Sequence, residues 1–419
     1  MLIQLMRKKS IQNGIWLYAM QIFNSVVPLL TLPYVARIFP PEEYGYFSLA
    51  LNYISYIVVV VEYGFNMTGA RKVVISQSLE EESQLFTIIL LVRSALCLVC
   101  SIGILIYCII DGFTILSRCM IALMLMFIGT VLDQTWYFQG KQDMKFIAIA
   151  NMVSRTLSAV LIFLCVNDTG DLIVYCLLYS AVNFLNGLIA TGVVCGKFGL
   201  RIQRLPLSQF REDVVEGWYL FTSTFSSKVL SSLGITFLGW FSTSYDCGIF
   251  SALYRIPTMF LLVWNPISQV LYPISCAKMV DSFQEGSKFV RKMQRACLAL
   301  FAIVCLFFCL FAKLFVGLLL GDSYATYYYV IYPLFAWLLV AIYNNFLGVQ
   351  TLLAAGYSKE YSSCIRWSAV VSIIGNLVGI YFWGIMGAAF APLISEIAMT
   401  AFLQKKKKKH SKGNDSIRL

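Results

Sequence analysis

The sequence predicts an all-α polytopic membrane protein with about twelve transmembrane helices. The 419-residue chain is 59% hydrophobic and only 13% charged, which leaves too little polar surface for a water-soluble globule of this size. Apolar stretches of about 18 or more residues recur along the whole chain, and this length crosses about 30 Å of hydrocarbon. Basic residues fall mainly into alternate connections between these stretches, as multi-pass helical proteins require.

The apolar runs, separated by glycine, proline and charged residues, place the predicted spans in order along the chain. These spans are 11–36, 45–66, 85–110, 117–138, 147–167, 172–195, 217–242, 248–272, 296–318, 325–352, 361–382 and 385–403. The first could be mistaken for a signal peptide because Arg7, Lys8 and Lys9 precede it. Its length, its two prolines and the lack of a small-residue cleavage site favour an uncleaved helix.

The distribution of lysine and arginine predicts the orientation of the chain. Of the 32 basic residues, 24 lie in the segments that face the cytoplasm when the N-terminus is inside. Only Arg37 and Arg118 face outward, and the other six lie within spans. Because short basic loops stay in the cytoplasm, both termini are predicted to be cytoplasmic.

A polar, basic connection at 196–216 divides the chain into two similar parts. The predicted organisation is a six-helix lobe at 1–195, this cytoplasmic loop, a second six-helix lobe at 217–403 and a basic tail at 404–419. Gly45-Tyr46-Phe47-Ser48 at the start of the second span is echoed by Gly248-Ile249-Phe250-Ser251 at the start of the eighth. Parallel repeats of this kind predict two bundles that rock about a central cavity.

The sequence lacks the residues that several kinds of function need. The single histidine, His410, lies in the lysine-rich tail, and the sequence has no ATP-binding loop or dinucleotide fingerprint. The 13 cysteines lie mostly in apolar runs and are interpreted as small hydrophobic residues. We therefore expect no catalytic residue, cofactor, metal site or nucleic-acid partner; the lysine run 405–409 is interpreted as a contact to anionic lipid.

Five stretches resemble one protein family. They are NSVVPLLTLPYVAR at 24–37, PEEYG at 41–45, EYGF at 62–65, DQTWYFQG at 133–140 and GIFSA at 248–252. In these stretches, and in span number and loop lengths, the chain resembles the Wzx-type O-antigen flippases, in the superfamily of the multidrug antiporters and the lipid II flippase. The resemblance implies two six-helix bundles that form a V around a cavity, in the bacterial inner membrane. It also implies an undecaprenyl-diphosphate-linked oligosaccharide as substrate and a role in O-antigen and lipopolysaccharide biosynthesis.

Three basic residues lie well inside the predicted spans. By helix rise, Arg155 is roughly 12 Å from the cytoplasmic end of its span, Lys228 roughly 16 Å into its own, and Arg255 roughly 10 Å from the outer end of its span. Each would cost about 2.5–3.5 kcal/mol if it faced lipid at the bilayer centre. We expect the three to line a wet cavity and to bind the diphosphate, because guanidinium and ammonium groups replace phosphate hydration.

Three further cations, Arg93, Lys313 and Arg366, are candidates for the same cavity. For these residues, internal pairing or extension of the side chain toward an interface is the alternative. The carboxylates of Glu62 and Asp133 are candidates for coupling to a proton or sodium ion, with pairing to Arg71 or Arg93 as the alternative.

Two other functions compete with the flippase interpretation. A multidrug-type antiporter of the same fold would favour the opposite charge in its cavity. A membrane glycosyltransferase or polymerase of the same pathway would need chemistry outside the bilayer, and the outward loops are short and without paired carboxylates. The sequence therefore predicts a transporter rather than an enzyme. Other polysaccharide-assembly proteins are candidate partners.

Overall fold

The computed structural model describes the backbone of residues 2–203 and 207–415. It describes the side chains of 12–203, 210, 213–218, 220–280 and 282–408. Over the described backbone the chain forms helices and no strand, which confirms the all-α prediction.

Sixteen α-helices follow one another along these residues. They are α1 (Leu2–Ile38), α2 (Pro41–Glu62), α3 (Phe65–Ile75), α4 (Leu79–Ile110), α5 (Ile115–Leu123), α6 (Leu125–Val131), α7 (Thr135–Gly140), α8 (Met144–Cys165), α9 (Leu172–Lys197), α10 (Leu207–Phe241), α11 (Ser244–Asp281), α12 (Phe283–Leu310), α13 (Ala312–Leu320), α14 (Asp322–Ala325), α15 (Ile331–Leu347) and α16 (Ser358–Asp415). A π-helical segment, Gly348–Leu353, continues α15.

Ten helical stretches of the described chain are long and apolar enough to cross a membrane. They are Gln12–Ile38, Pro41–Ile75, Leu79–Ile110, Ile115–Gly140, Met144–Cys165, Thr169–Lys197, Ser244–Val280, Phe283–Leu310, Tyr328–Leu353 and Ser358–Lys408. Helix α10 is also long enough, and Gly384 divides the last stretch in two because its φ of 50° and ψ of −125° are not helical. This is consistent with the predicted number of about twelve, and the chain is a multi-pass membrane protein.

The chain forms two compact units, residues 1–232 and 233–419, and the boundary falls inside α10. In the first unit, α9 packs against α6 and α8, and α8 packs against α1. In the second unit, α15 packs against α11, α12 and α16. Each unit therefore has its own helical core.

Local sequence explains where several helices begin. Pro41 occupies the first turn of α2, where a missing N–H costs nothing. The Ser78 side chain accepts a hydrogen bond from the Glu81 N–H at 3.2 Å and caps α4, whose first turn is acidic. Ser282 caps α12 in the same way, through the Glu285 N–H at 3.5 Å. Helix α12 therefore begins at residue 283, before the span predicted from residue 296.

Candidate functional site

Glu62 is the last residue of α2, and the chain turns there before α3 begins. Tyr63 and Gly64 both have left-handed backbone conformations, with φ of 53° and 75°. A Cβ on Gly64 would lie 2.9 Å from the Leu220 Cβ on α10, so this turn and this close approach both require glycine. The turn leaves the Glu62 carboxylate at a helix C-terminus inside a candidate membrane span, where the helix dipole disfavours negative charge.

Arg93 on α4 supplies the positive charge beside Glu62. Its side chain is 0% exposed. Its Nη1 donates hydrogen bonds to the backbone oxygens of Thr130 at 3.1 Å and Asp133 at 2.7 Å. Its Nη2 donates to the Asn66 Oδ1 at 3.1 Å. These three acceptors fit the alternative of internal pairing that the sequence left open for Arg93.

Two carboxylates, those of Glu62 and Asp133, lie near the Arg93 guanidinium. Glu62 and Asp133 both lie near enough to interact electrostatically with Arg93 and with each other, and Asn66 also hydrogen-bonds the Glu62 side chain. The Asp133 Oδ1 accepts from the Thr135 hydroxyl at 2.7 Å. Among the described ion pairs, neither carboxylate contacts Arg93 directly. Fully ionised, the cluster of Glu62, Asn66, Arg93 and Asp133 carries two negative charges and one positive charge, so its net charge is −1.

The DQTWYFQG stretch contributes Asp133 to this cluster, and most of its other residues are buried. Trp136 is fully buried, and Tyr137 donates from its hydroxyl to the Glu82 Oε2 at 2.9 Å. The other Glu82 oxygen accepts from the Lys141 Nζ at 2.5 Å. Gln134, 1% exposed, donates to the Leu132 backbone oxygen at 3.3 Å. Trp136 and Tyr137 belong to a buried core of the first unit.

Two of the predicted cavity cations lie in the first unit, where no described carboxylate pairs with them. Arg155 on α8 and Lys228 on α10 are both partly buried. Among the ion pairs of the described side chains, none involves either residue. The Arg155 Nε is buried and has no hydrogen-bond partner in the described structure. Among the described residues, the Arg155 and Lys228 side chains do not contact each other by a hydrogen bond.

The remaining candidate cations lie in the second unit. Arg255 on α11 is partly buried. Lys313 on α13 and Arg366 on α16 are exposed on the protein surface. Lys313 borders an open groove of about 620 Å³ that Asp322 also lines.

Two sets of polar contacts in the structure were not predicted from the sequence. Asn66 bridges Arg93 and Glu62; its position four residues after Glu62 could have indicated it, although α2 ends between the two. Lys72 pairs with Asp213 and Glu216, which lie in the connection interpreted as a loop and belong to α10. No short-range signal links positions so far apart in the chain.

A protein-family model described as polysaccharide biosynthesis protein matches residues 10–279. A curated relative from Escherichia coli (strain K12), named "Putative O-antigen transporter", is 26% identical over 402 residues, which are 94% of this chain and 95% of the relative.

Two solved structures share the fold. The lipid II flippase MurJ in an inward closed conformation has a TM-score of 0.73 at 11% identity, covering 95% of this chain and 87% of that one. An inward-facing multidrug resistance MATE family transporter of the MOP superfamily has a TM-score of 0.69 at 14% identity, covering 94% of both chains.

Proposed function

The chain belongs to the polysaccharide biosynthesis protein family, and on that premise we propose that it is a flippase for undecaprenyl-diphosphate-linked oligosaccharide repeat units. It moves them from the cytoplasmic to the periplasmic leaflet of the bacterial inner membrane by alternating access. Both of its termini lie in the cytoplasm. The repeat unit belongs to O-antigen or a related surface polysaccharide.

The observation that carries this proposal is that Arg155 and Lys228, both in the first unit, form no ion pair with any described residue. A cation within a membrane span is costly unless it faces water, a partner or a ligand. The described structure gives neither residue a carboxylate partner. A diphosphate carries the complementary charge, and a guanidinium can hold two of its oxygens at once.

In the proposed cycle, Arg155, Lys228 and Arg255 contact the diphosphate while the polyprenyl chain remains in lipid. The anion favours whichever conformation brings these cations nearest to it, so its binding shifts the population between conformations. The sugar hydroxyls meet polar side chains, because a neutral oligosaccharide requires hydrogen bonds rather than charge.

Glu62 and Asp133 couple the cycle to a proton or sodium ion in this proposal. The support is the net negative charge of the Arg93 cluster. Uptake of one cation neutralises the cluster, which removes the unfavourable interaction between Glu62 and the end of α2. If Glu62→Gln and Asp133→Asn proteins both export polymer normally and still respond to collapse of the proton gradient, the coupling role is wrong.

The transport proposal is tested by lipid analysis of a deletion strain. We expect undecaprenyl-linked repeat units to accumulate on the cytoplasmic face and to disappear when the wild-type chain is restored. Repeat units that reach the periplasmic face normally in the deletion strain would contradict a flippase role.

Variants at the three cations test the site separately from the function. Arg155→Glu, Lys228→Glu and Arg255→Glu should each reduce surface polysaccharide more than alanine does, because they add repulsion to lost attraction. Arg201→Glu, an exposed site in the first unit, is the matched control for charge reversal. Normal polysaccharide from all three glutamate variants at wild-type abundance would exclude the cationic site and leave the flippase role standing.

A further inference from the structure

A polar network lies inside the second unit, between α15 and the part of α16 that follows Gly384. The Asn344 Nδ2 donates to the Glu396 Oε2 at 2.6 Å and to the Glu396 backbone oxygen at 2.8 Å. The Asn344 Oδ1 accepts from the Thr400 hydroxyl at 2.7 Å. The amide orientation is fixed by these bonds, because its nitrogen faces two acceptors and its oxygen faces a donor.

Among the described side chains, Glu396 has no cation paired with it. Among the ion pairs of the described chain, none includes this carboxylate, and its Oε1 accepts no hydrogen bond from a described residue. Glu62 in the first unit differs, because Arg93 lies beside it. Among the described groups, Glu396 interacts electrostatically with Tyr254 on α11 and Tyr361 on α16, and neither hydroxyl carries positive charge.

A carboxylate in an apolar membrane helix is stable only if something neutralises it. A metal ion such as sodium or calcium takes several oxygen ligands around it. Here Asn344 directs its NH₂ group at the carboxylate, and its oxygen is already bonded to Thr400. A proton needs only one oxygen, and Oε1 is the oxygen without a bond.

We propose that Glu396 is a proton-binding site of the second unit, held by Asn344 and Thr400. The ionised form accepts a charge-assisted hydrogen bond from Asn344, and the protonated form carries no charge into the apolar surroundings. The inference concerns the proton site alone and does not depend on which molecule the protein transports.

The structure next to Asn344 explains how the helices can respond to this proton. The π-helical segment Gly348–Leu353 continues α15, and such segments are frequent at functional sites. Within it, the Gln350 amide donates to the Ser268 backbone oxygen at 2.9 Å, and its oxygen accepts from Ser275 at 2.9 Å. A change in the Asn344–Glu396 bond therefore acts on a helix that is irregular at this point and is joined to α11 by side-chain hydrogen bonds.

The test is infrared difference spectroscopy of the purified protein in lipid nanodiscs between alkaline and acid pH. Protonation of a carboxylate produces the carbonyl stretch of a carboxylic acid. We expect Glu396→Gln to lose one component of this band completely. Glu285→Gln, the same substitution at an exposed site of the second unit, should retain that component. Identical band components in wild type and Glu396→Gln would overturn the proposal.

A second variant decides the question if Glu396→Gln does not fold. Asn344→Ala keeps the carboxylate but removes its donor, so the ionised form loses a hydrogen bond to charge. We expect the midpoint of the band to move to higher pH by about one unit. An unchanged midpoint would overturn the proposal. So would a band component that sodium suppresses and potassium does not, since the ligand would then be a metal ion.

Discussion

Lys72 and Asp213 form an ion pair although 141 positions separate them in the chain. The Lys72 ammonium also lies 3.2 Å from the Glu216 carboxylate, and Arg71 lies 3.1 Å from the same residue. The Asp213 side chain is only 4% exposed. These contacts fasten the beginning of α10 to α3 within the first unit.

Asp213→Ala should therefore lower the thermal unfolding midpoint of the purified protein. Breaking a buried ion pair costs about 3–5 kcal/mol. We expect less here, about 1–2 kcal/mol, because Lys72 is partly exposed and keeps Glu216. Arg71→Ala is the control: its side chain is 75% exposed, so the midpoint should hardly change. Exchange of the two charges, Lys72→Asp with Asp213→Lys, should recover part of the lost thermal stability. Equal midpoints for Asp213→Ala and wild type would show that this ion pair does not stabilise the first unit.

Gly187→Ala should destabilise the first unit although alanine favours helices. A Cβ at Gly187 on α9 would lie 2.5 Å from the Gly129 backbone oxygen on α6, so the two helices would have to separate. Gly192 on the same helix has nothing within 4 Å of its Cβ position. Gly192→Ala should be neutral or stabilising by up to about 1 kcal/mol. Thermal unfolding of the two purified variants measures the difference. A midpoint for Gly187→Ala at or above that of Gly192→Ala would disprove the close contact.

Arg93→Ala should reduce the amount of protein in the membrane. The change would leave two backbone oxygens and the Asn66 oxygen without their donor, and the Glu62 and Asp133 carboxylates without their neighbouring positive charge, at a cost of about 3–5 kcal/mol. Arg155→Ala removes a side chain that makes no described bond and should leave abundance unchanged. Quantitative immunoblots of isolated membranes compare the two; similar abundance would show that Arg93 is not a packing anchor.

The proposed orientation predicts which positions a membrane-impermeant thiol reagent reaches. In a cysteine-reduced protein, Ser323→Cys should be labelled in intact cells, because the basic-residue distribution places it outside. Lys288→Cys should be labelled only after permeabilisation; both positions are exposed on the protein. The reverse pattern would invert the topology.

Hydropathy predicted the apolar stretches well because crossing a membrane imposes a minimum apolar length. It could not predict where helices bend, because those points depend on local backbone conformation. The span predicted at 296–318 is interrupted near Phe311, and α13 begins at residue 312. The boundary between the last two predicted spans, at residues 383 and 384, does coincide with the break at Gly384.

The charged residues were harder to interpret than the spans. Arg93 donates to two backbone oxygens. Every residue has a backbone oxygen, so the sequence gives no sign of which ones Arg93 contacts. Asp213, the partner of Lys72, lies in the connection predicted to be a loop, so composition alone did not indicate this ion pair. Arg155 and Lys228 differ, because helix rise alone gives their positions within the predicted apolar runs; their place in a cavity stays a prediction.

The turn at Gly384 has a consequence for how the chain is made. Tyr381, Phe382 and Trp383, which precede it, are about two-thirds exposed, and aromatic residues of this kind favour the membrane–water interface. Helical segments on both sides of Gly384 are apolar, and no polar loop separates them. A translocation channel would receive them as one continuous hydrophobic stretch, so we expect the two helices to enter the bilayer together as a hairpin during synthesis.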